Sequence, residues 1–524
     1  MNRWTGWLLV PILVLAFRST GECGAHPAAA PPGLDAYISR VMKQFAVPGV
    51  AVAIVKDGNV VLAKGYGVRT LGESAAVDER TLFGIASNTK AFTASAIGML
   101  VEEGKLEWDA PVIGYLPSFG LSNPYVTREL TVRDLLTHRS GLGLGAGDLL
   151  WWPPSTYDRK EITRRLRSIP LATSFRSAYA YDNVLYIVAG ELIEAVSGQS
   201  WEDFVATRIL DRVGMTGSIV RCSALAKAPN VAAPHAVVEG TLRPVKPFAV
   251  DNTDPAGGIA SSAEDMAKWL IVQLDSGRVA DGSRLFSPRT TRALWSIVTP
   301  IPIGDPAPEL AALRSNFQGY GLGFGIRDYR GRKDVTHTGG LPGYVSRVAM
   351  IPELHLGVAV LTNQEAGGAF EAITYRILDY YTGAPPTDWG AVYRKVKARA
   401  DSTNAAAVQT AVATRDTLSP PPLALERYAG RYEDPWYGEV SIALENGSLA
   451  MRFSHTPSLV GDLEHWQYDT FVVRWRDREL RADAYVTFAL NPDGSIDQAK
   501  MKALSPETDF SFDFQDLVLK PVAK

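Results

Sequence analysis

Alternating and continuous apolar runs near the start of the chain predict a β-hairpin. Residues 50–55 and 60–64 are rich in β-branched side chains, and the polar segment between them contains the turn pair Asp57-Gly58. Three more strand patterns lie much later in the chain, at residues 334–338, 344–351 and 356–363. We therefore expect one sheet that receives strands from both ends of a long segment.

Helical patterns fill the region between these strands. The first begins at Ser87, runs to about Leu100 and is rich in Ala, Met and Leu, and Gly104 predicts its end. Others lie at residues 184–197, 201–210 and 263–274. Strands on both sides of a block of helices indicate an α+β architecture, with a helical subdomain inserted into the sheet, and not a βαβ repeat.

The pattern changes after Tyr381. An Ala-rich helical stretch at 389–415 leads to three consecutive prolines, Pro420–Pro422, which stiffen the chain as a linker does. From Tyr428 onward, short alternating strands are separated by turn pairs, and Phe510, Phe512 and Phe514 are predicted to share one strand face. We predict domains at 34–383 and 423–524, with 384–422 as a helical and Pro-rich linker. The last domain is predicted to be an antiparallel β-barrel or sandwich that folds separately and supplies no catalytic group.

The first 25 residues predict a secretory signal peptide. Arg3 precedes the apolar run 7–17, and small residues follow at 24–25 and 28–30. The run is short for a membrane span, which needs roughly 20 residues. An uncleaved anchor is the alternative interpretation. Cleavage near Ala25 predicts a periplasmic or secreted protein without a stable membrane span.

Composition excludes several classes of function. The chain has 524 residues, a net charge of −3 and no basic stripe, so we expect no nucleic-acid partner. Its two cysteines exclude a disulfide framework, and its seven histidines lack the spacing of a zinc motif. No phosphate-binding glycine motif follows a strand pattern, so we expect neither a metal nor a cofactor.

Ser87 and Lys90 are the first candidates for chemistry. They lie three residues apart at the start of a predicted helix, so their side chains share one face. A serine hydroxyl becomes an effective nucleophile when a neighbouring base takes its proton. Lys90 can be that base when it is neutral, and both burial and the positive end of the helix disfavour its ammonium form. A Ser-x-x-Lys pair also arises by chance in a chain this long, so it needs further support.

Two later segments supply that support. Tyr181 and Asn183 lie on a loop that enters a helix. A tyrosine beside a lysine can have a lowered pKa and act as a base, and an asparagine can bind a substrate amide. The second segment ends a short strand and consists of His337, Thr338, Gly339 and Gly340. Glycines there let a substrate backbone approach closely, and the N–H of Gly340 can donate to an oxyanion. Taken singly, Tyr181 is also read as a packed aromatic ring and His337 as a surface histidine.

The order Ser-x-x-Lys, Tyr-x-Asn and His-Thr-Gly resembles the serine β-lactamase and penicillin-binding-protein family. The likeness is greatest to its class C-like branch of esterases, D-peptidases and related hydrolases. Further similar segments lie at 100–106, 135–142, 255–259 and 262–266. The resemblance covers residues 34–383 and implies an antiparallel sheet flanked by helices. The C-terminal part resembles the lipocalin-like β-domain that often follows such hydrolases.

The resemblance also implies a role for each candidate residue. Ser87 attacks the carbonyl and is acylated, while Lys90 and Tyr181 share its proton. Asn183 holds the substrate amide. The backbone N–H groups of Ser87 and Gly340 form the oxyanion hole, at the strand that carries His337.

The sequence departs from the true β-lactamases at His337, where those enzymes carry lysine. A neutral histidine does not replace a fixed cation, which argues against strong selection of β-lactam carboxylates. With an ordinary pKa of about 6.5, it predicts better use of anionic substrates as the pH falls. Arg347 on the neighbouring strand could supply the missing charge, although an ion pair across the strand face is the more ordinary interpretation.

The leading hypothesis is therefore an exported serine hydrolase that forms an acyl-enzyme on small amides or esters, foremost peptides that contain D-residues. One alternative is a β-lactamase. Another is a sensor or scaffold that is acylated without turnover or never reacts. The expected partner is a small-molecule or peptide substrate, and self-association stays open.

Overall fold

The computed structural model describes residues 29–523. The predicted signal peptide and Cys23 lie outside the described residues. Within this part of the chain, no helix has both the length and the apolar character that a bilayer crossing needs.

The first domain is built on a single large antiparallel sheet. Its elements in chain order include the strands β1 (Gly49–Lys56), β2 (Asn59–Gly67), β3 (Phe83–Gly84), β4 (His235–Val238), β5 (Thr241–Pro244), β6 (Ala260–Ser261), β7 (Thr299–Pro300), β8 (Gln318–Tyr320), β9 (Gly325–Tyr329), β10 (Arg332–Leu341), β11 (Tyr344–Ile351) and β12 (Leu356–Thr362). The large sheet has the order β2-β1-β12-β11-β10-β9-β8-β7. The predicted hairpin forms β1 and β2, and β1 pairs with β12, so the predicted closure of the sheet by both ends of the domain is confirmed.

Helices cover both faces of this sheet. In chain order the α-helices of this part of the chain are α1 (Leu34–Phe45), α2 (Lys90–Glu102), α3 (Pro124–Glu129), α4 (Arg159–Arg165), α5 (Val184–Ser197), α6 (Trp201–Val205), α7 (Asp211–Val213), α8 (Cys222–Leu225), α9 (Asp254–Gly257), α10 (Ala263–Leu274), α11 (Pro288–Leu294), α12 (Gly367–Thr382) and α13 (Trp389–Ala413). Strand β1 is buried throughout, and its residues alternate between two cores: Val52 belongs to the core that includes α1 and α12, and Ala53 belongs to the core that includes the helical subdomain. Its apolar run therefore serves two cores. The predicted α+β architecture is confirmed.

The C-terminal domain is a nearly closed antiparallel barrel. After the short helix α14 (Leu425–Tyr428), its strands are β13 (Gly430–Asp434), β14 (Gly438–Glu445), β15 (Ser448–Phe453), β16 (Val460–Gln467), β17 (Thr470–Trp475), β18 (Ala484–Leu490), β19 (Ile496–Ala503) and β20 (Lys520–Pro521). The predicted turn pair Asn446-Gly447 joins β14 to β15 with positive φ at both residues. A bridge between Ala499 and Leu519 brings the two ends of the sheet together.

The prediction of three phenylalanines on one strand face is wrong. Residues 509–514 form turns, because the Asp509 carboxylate accepts the backbone N–H of Ser511 and folds the segment back on itself. Phe512 and Phe514 are buried, whereas Phe510 is 42% exposed. This segment, which we call the barrel loop (residues 509–513), points toward the first domain.

The two domains pack closely against each other. The Tyr157 ring stacks on His455 with 4.1 Å between ring centroids, and Arg165 Nη1 donates to the Trp436 carbonyl at 2.9 Å. Near the barrel loop, Phe512 contacts the edge of Trp152 at 6.3 Å between centroids. Apolar residues of both domains therefore belong to one continuous core.

Candidate active site

A tight turn presents Ser87 at the end of β3. Ala86 has a positive φ of 50°, which L-residues adopt only at some cost, and it leads into the 3-10 helix Ala86–Thr89 that continues as α2. The Ser346 hydroxyl of β11 donates to the Ile85 carbonyl at 2.8 Å. A Cβ on Gly339 would lie 2.2 Å from that same carbonyl. Glycine at 339 is therefore required for β10 to lie against the nucleophile turn.

Lys90 lies directly behind the serine. Its Nζ is 3.1 Å from Ser87 Oγ, 2.8 Å from Asn183 Oδ1 and 2.9 Å from the carbonyl oxygen of Ala256. Asn183 and Ala256 offer acceptors, so a neutral amine donates its two protons to them. The nitrogen lone pair then faces the Ser87 hydroxyl. This geometry suits Lys90 to accept the proton of the nucleophile.

Burial sets the protonation of Lys90. The side chain is fully buried, and loss of water lowers its pKa to about 7, while the charges of Asp148 and Asp182 oppose that shift. The same burial raises the pKa of each of those carboxyl groups to about 7. The Nζ also lies about 5 Å from the ring centroids of Tyr181 and Tyr186. Neutral Lys90 is thus well populated near neutral pH.

Tyr181 lies beside the same lysine, but its pKa moves opposite to the sequence prediction. Desolvation raises the pKa of the phenol well above 10, and the Ser87 hydroxyl only partly offsets this. The expectation of a tyrosine with lowered pKa is therefore wrong. Tyr181 remains a phenol near neutral pH and is suited to relay a proton, donating one as it receives another.

Asn183 is the N-cap residue directly before helix α5, and both the oxygen and the nitrogen of its amide have partners within the protein. Its oxygen accepts from Lys90, and its Nδ2 donates to Asp148 Oδ2 at 2.8 Å. The resemblance assigns this residue to the substrate amide. The structure additionally connects it to Lys90 and to a buried carboxylate, and sequence analysis missed Asp148 because nothing in Gly147-Asp148-Leu149 signals a role.

His337 is buried and its ring nitrogens both have partners. Nδ1 lies 2.6 Å from the Thr338 carbonyl oxygen and Nε2 lies 2.8 Å from the Tyr320 hydroxyl. A carbonyl only accepts, so Nδ1 carries the proton and Nε2 accepts from Tyr320. Burial and the nearby Lys90 lower the pKa of His337 to about 3. The prediction that His337 lies at the surface and has an ordinary pKa near 6.5 is therefore wrong.

Arg347 does not replace the missing cation. It is buried, forms an ion pair with Glu371, and its Nη2 lies 3.9 Å from Asp334 Oδ2. Arg327 shares that aspartate, with Nε donating to Oδ2 at 3.1 Å. Two guanidinium groups thus face two carboxylates, and the ion-pair interpretation of Arg347 is confirmed.

A cavity of about 480 Å³ joins these groups. Ser87, Tyr181, Asn183, His337, Thr338 and Gly340 all line it, whereas Gly339 lies behind it against the nucleophile turn. Aromatic rings of Trp151, Trp152, Tyr179, Tyr320 and Phe510 form much of its wall. Trp151 and Trp152 are both buried and line the cavity. Among residues 29–523, His, Cys, Asp and Glu form no group of three suited to a metal ion.

The profile of the family described as Beta-lactamase matches residues 34–382, more than half of the chain, and a domain of unknown function, DUF3471, matches 414–521. The chain therefore belongs to the β-lactamase family. As a member, it is a serine hydrolase.

Several known proteins are similar over most of the chain. An unguisins hydrolase of Aspergillus violaceofuscus is 30% identical over 487 residues, which cover 87% of this chain and 85% of the relative. Penicillin-binding protein 4 of Amycolatopsis lactamdurans is 27% identical and covers 63% of this chain and 85% of its own length.

Solved structures support the fold. The octameric penicillin-binding protein homologue from Pyrococcus abyssi superposes with a TM-score of 0.59 at 24% identity, covering 93% of this chain and 98% of its own. SurE, solved with D-Leu, has a TM-score of 0.53 at 19% identity and covers 94% of this chain and 99% of its own.

Proposed function

We propose that this chain hydrolyses neutral amide or ester substrates through an acyl-enzyme on Ser87, and that peptides containing D-residues are its foremost substrates. The single observation that carries the reaction is the position of Lys90 Nζ, 3.1 Å from Ser87 Oγ with two other acceptors in reach. Such a lysine can take the serine proton without an additional base.

Acylation then follows from the geometry. Ser87 Oγ forms a bond to the substrate carbonyl carbon while its proton passes to Lys90 Nζ. The backbone N–H groups of Ser87 and Gly340 stabilise the negative oxygen of the tetrahedral intermediate. As this intermediate collapses, the bond to the leaving group breaks and Tyr181 delivers a proton to it, while the proton held on Lys90 replaces the one that Tyr181 gave up. Water adds to the acyl-enzyme by the reverse proton path and releases the acid.

The charges around the cavity favour substrates that are neutral near the scissile bond. His337 is uncharged, and Arg327 and Arg347 are paired with Asp334 and Glu371. Among the described residues that line this cavity, no cation is free to bind a carboxylate. A carboxylate-bearing β-lactam would therefore lose its hydration without gaining a charged partner.

One of the similar structures points to substrates with D-residues. The fungal relative is named for hydrolysis of unguisins, and SurE is solved with D-Leu. The aromatic walls of the cavity suit apolar side chains, and a second cavity of about 570 Å³ shares Trp152, Gly340 and Leu341 with it. A peptide longer than a dipeptide can therefore extend from the reacting centre.

A β-lactamase is the second candidate, because one relative is named a penicillin-binding protein. The neutral His337 argues against efficient turnover of anionic β-lactams. A scaffold without chemistry is disfavoured by the complete Ser87, Lys90 and Tyr181 set.

A substrate panel tests the proposal. We would compare kcat/KM for a p-nitrophenyl ester, matched D- and L-residue p-nitroanilides, and a chromogenic cephalosporin, and measure the acyl adduct on Ser87 by mass spectrometry. We expect the ester and the D-anilides to exceed the L-anilides and the cephalosporin. Fastest turnover of the cephalosporin, or no preference between D- and L-anilides, would contradict the substrate assignment.

We also propose that the mature chain begins after about Ala25 and acts in the periplasm or outside the cell. N-terminal sequencing of exported protein tests this, and recovery of the intact N-terminus in membranes would favour an anchor. We also propose that the protein self-associates, because the similar homologue from Pyrococcus abyssi is octameric. Light scattering measures the mass of the assembly in solution.

A further inference from the structure

The barrel loop holds the backbone next to Asp148. The Asp513 carboxylate accepts the backbone N–H of Gly147 at 2.7 Å with one oxygen and that of Leu149 at 3.0 Å with the other. These contacts join residues more than 360 positions apart in the sequence. Asp513 is fully buried, so both of its oxygens rely on these donors in place of water.

The same loop contacts the Asp148 side chain itself. Ser511 Oγ donates to Asp148 Oδ2 at 2.8 Å, and Trp151 Nε1 donates to Oδ1 at 2.8 Å. Asn183 Nδ2 donates to Oδ2 as well, also at 2.8 Å, and its amide oxygen accepts from Lys90. An unbroken chain of hydrogen bonds therefore runs from Ser511 through Asp148 and Asn183 to Lys90.

All four side chains in this series of hydrogen bonds are buried. Asp148 and Lys90 are 0% exposed, Ser511 4% and Asn183 5%. In such surroundings a lost partner is not replaced by water, so each hydrogen bond constrains the position of the next group. Phe510, beside Ser511, packs edge-on against the Tyr181 ring at 6.1 Å between centroids and lines the cavity.

We propose that Ser511 and Asp513 are positioning residues of the active site, and that the C-terminal domain completes the catalytic machinery by fixing Asp148, and through Asn183 the amine of Lys90. The inference uses only the acylation chemistry of Ser87, so it holds for any acyl substrate. It goes beyond the prediction that this domain supplies no catalytic group, because Ser511 and Asp513 act through Asp148 and Asn183.

The electrostatic consequence has a definite sign. The Ser511 hydroxyl favours the ionised form of Asp148, and ionised Asp148 favours the ammonium form of Lys90. Removing the hydroxyl raises the pKa of Asp148, so less negative charge faces Lys90 and its pKa falls. The other charged or titratable groups around that amine are Asp182, Tyr181, Tyr186, His138 and His337.

The test uses the full-length enzyme with Ser511→Ala. For a neutral p-nitrophenyl ester, the acidic limb of kcat/KM reports the free-enzyme pKa of the base. We expect this limb to move to lower pH by about half a unit, because one of the hydrogen bonds that favour ionised Asp148 is lost. We expect kcat at the optimum to fall roughly ten-fold, within the loss that small misplacements of a catalytic group cause.

The matched control is Ser505→Ala, whose hydroxyl accepts only the N–H of Glu507 in the same domain. The Ser505→Ala variant should have the same acidic limb of kcat/KM and the same kcat as the parent enzyme. Asp513→Asn, which removes a carboxylate and keeps the shape, should slow labelling of Ser87 by a fluorophosphonate and leave KM nearly unchanged.

Titration of the active sites shows whether Ser511→Ala lowers the fraction of active enzyme or the rate of each active molecule. If the variant has fewer active sites but each site has the kcat and the pH profile of the parent, the proposal is overturned. An unmoved acidic limb together with a kcat within two-fold of the parent would overturn it as well. Because the fluorophosphonate and the ester are generic acylating reagents, failure of the D-peptide assignment leaves this result intact.

Discussion

The two walls of the cavity treat charge in opposite ways. The helix wall, formed by Ser87, Lys90, Tyr181 and Asn183, keeps a buried amine near the point at which it gains or loses a proton. The strand wall, formed by β9, β10 and β11, pairs each buried guanidinium with a carboxylate and holds His337 neutral. Lys90, His337 and Arg347 are all buried, so burial alone does not decide protonation.

The partners of each group make the difference. Lys90 is surrounded by neutral acceptors, and the nearby Asp148 and Asp182 are themselves drawn toward neutrality by burial. Arg347 has Glu371 in direct contact, and its charge is fixed. The helix wall is therefore organised for proton transfer, and the strand wall for shape without net charge.

The strongest test removes the nucleophile from the helix wall. Ser87→Ala should lower kcat on a p-nitrophenyl ester by roughly 10⁴-fold or more, as loss of a nucleophile does in other serine hydrolases. A fluorophosphonate probe followed by peptide mass spectrometry should label the Ser87 peptide of the parent alone. Full labelling of the variant would show that another residue reacts.

The next test breaks the balance of the strand wall. Arg347→Met leaves Glu371 and Asp334 without this buried cation and should cost about 3 kcal/mol of unfolding free energy. Urea denaturation measures it. Arg394→Met, at an exposed position of α13, is the control and should stay within about 0.5 kcal/mol. Equal stability of the two variants would mean that the pairing of charges does not hold this wall together.

A third test moves the titration of the helix wall. The acidic limb of kcat/KM should lie at about pH 7, because activity rises as Lys90 loses its proton. Asp148→Asn removes a negative charge that favours the ammonium form, so the limb should shift by about one unit to lower pH. A pH profile on a neutral ester between pH 5 and 9 decides this. A shift to higher pH would contradict the assignment of Lys90 as the titrating base.

The smallest effect concerns His337. Because burial lowers its pKa to about 3, the ratio of kcat/KM for a carboxylate-bearing ester to that for its neutral analogue should stay constant between pH 8 and 5.5. The two esters are assayed side by side across this range. A ratio that rises toward acid with a midpoint near 6.5 would restore the titrating histidine that the sequence predicts.

Local patterns predicted the fold well where apolar periodicity and turn chemistry agree. The bounds of α5 and α10 and the turn of the first hairpin at Asp57-Gly58 follow directly from side-chain spacing and turn chemistry. The prediction was wrong at the segment of Phe510, Phe512 and Phe514. Its alternating pattern predicts a strand, but the hydrogen bond from the Ser511 N–H to the Asp509 carboxylate favours a turn.

The candidate site was predictable only in part. Ser87, Tyr181 and Asn183 all lie close to Lys90, and they could be predicted because the order of their motifs is specific. The directions of the pKa shifts depend on burial and on Asp148, which sequence spacing does not reveal. Ser511 and Asp513 escaped notice for the same reason, since only the packing of two domains brings them to the lysine.

The pairing of β1 with β12 has a consequence for how the molecule is made. Gly49 lies next to β12, which ends at Thr362, so the centre of the sheet joins segments separated by about 300 residues and cannot form while that chain is still emerging. The turn that presents Ser87 packs against β10 and β11. The loop that carries Asp148 gains its hydrogen bonds to Asp513 only when that residue has been made. A growing polypeptide therefore holds Ser87 without its full set of neighbours until the segment that carries Asp513 has been made, and we expect hydrolytic activity only after that point.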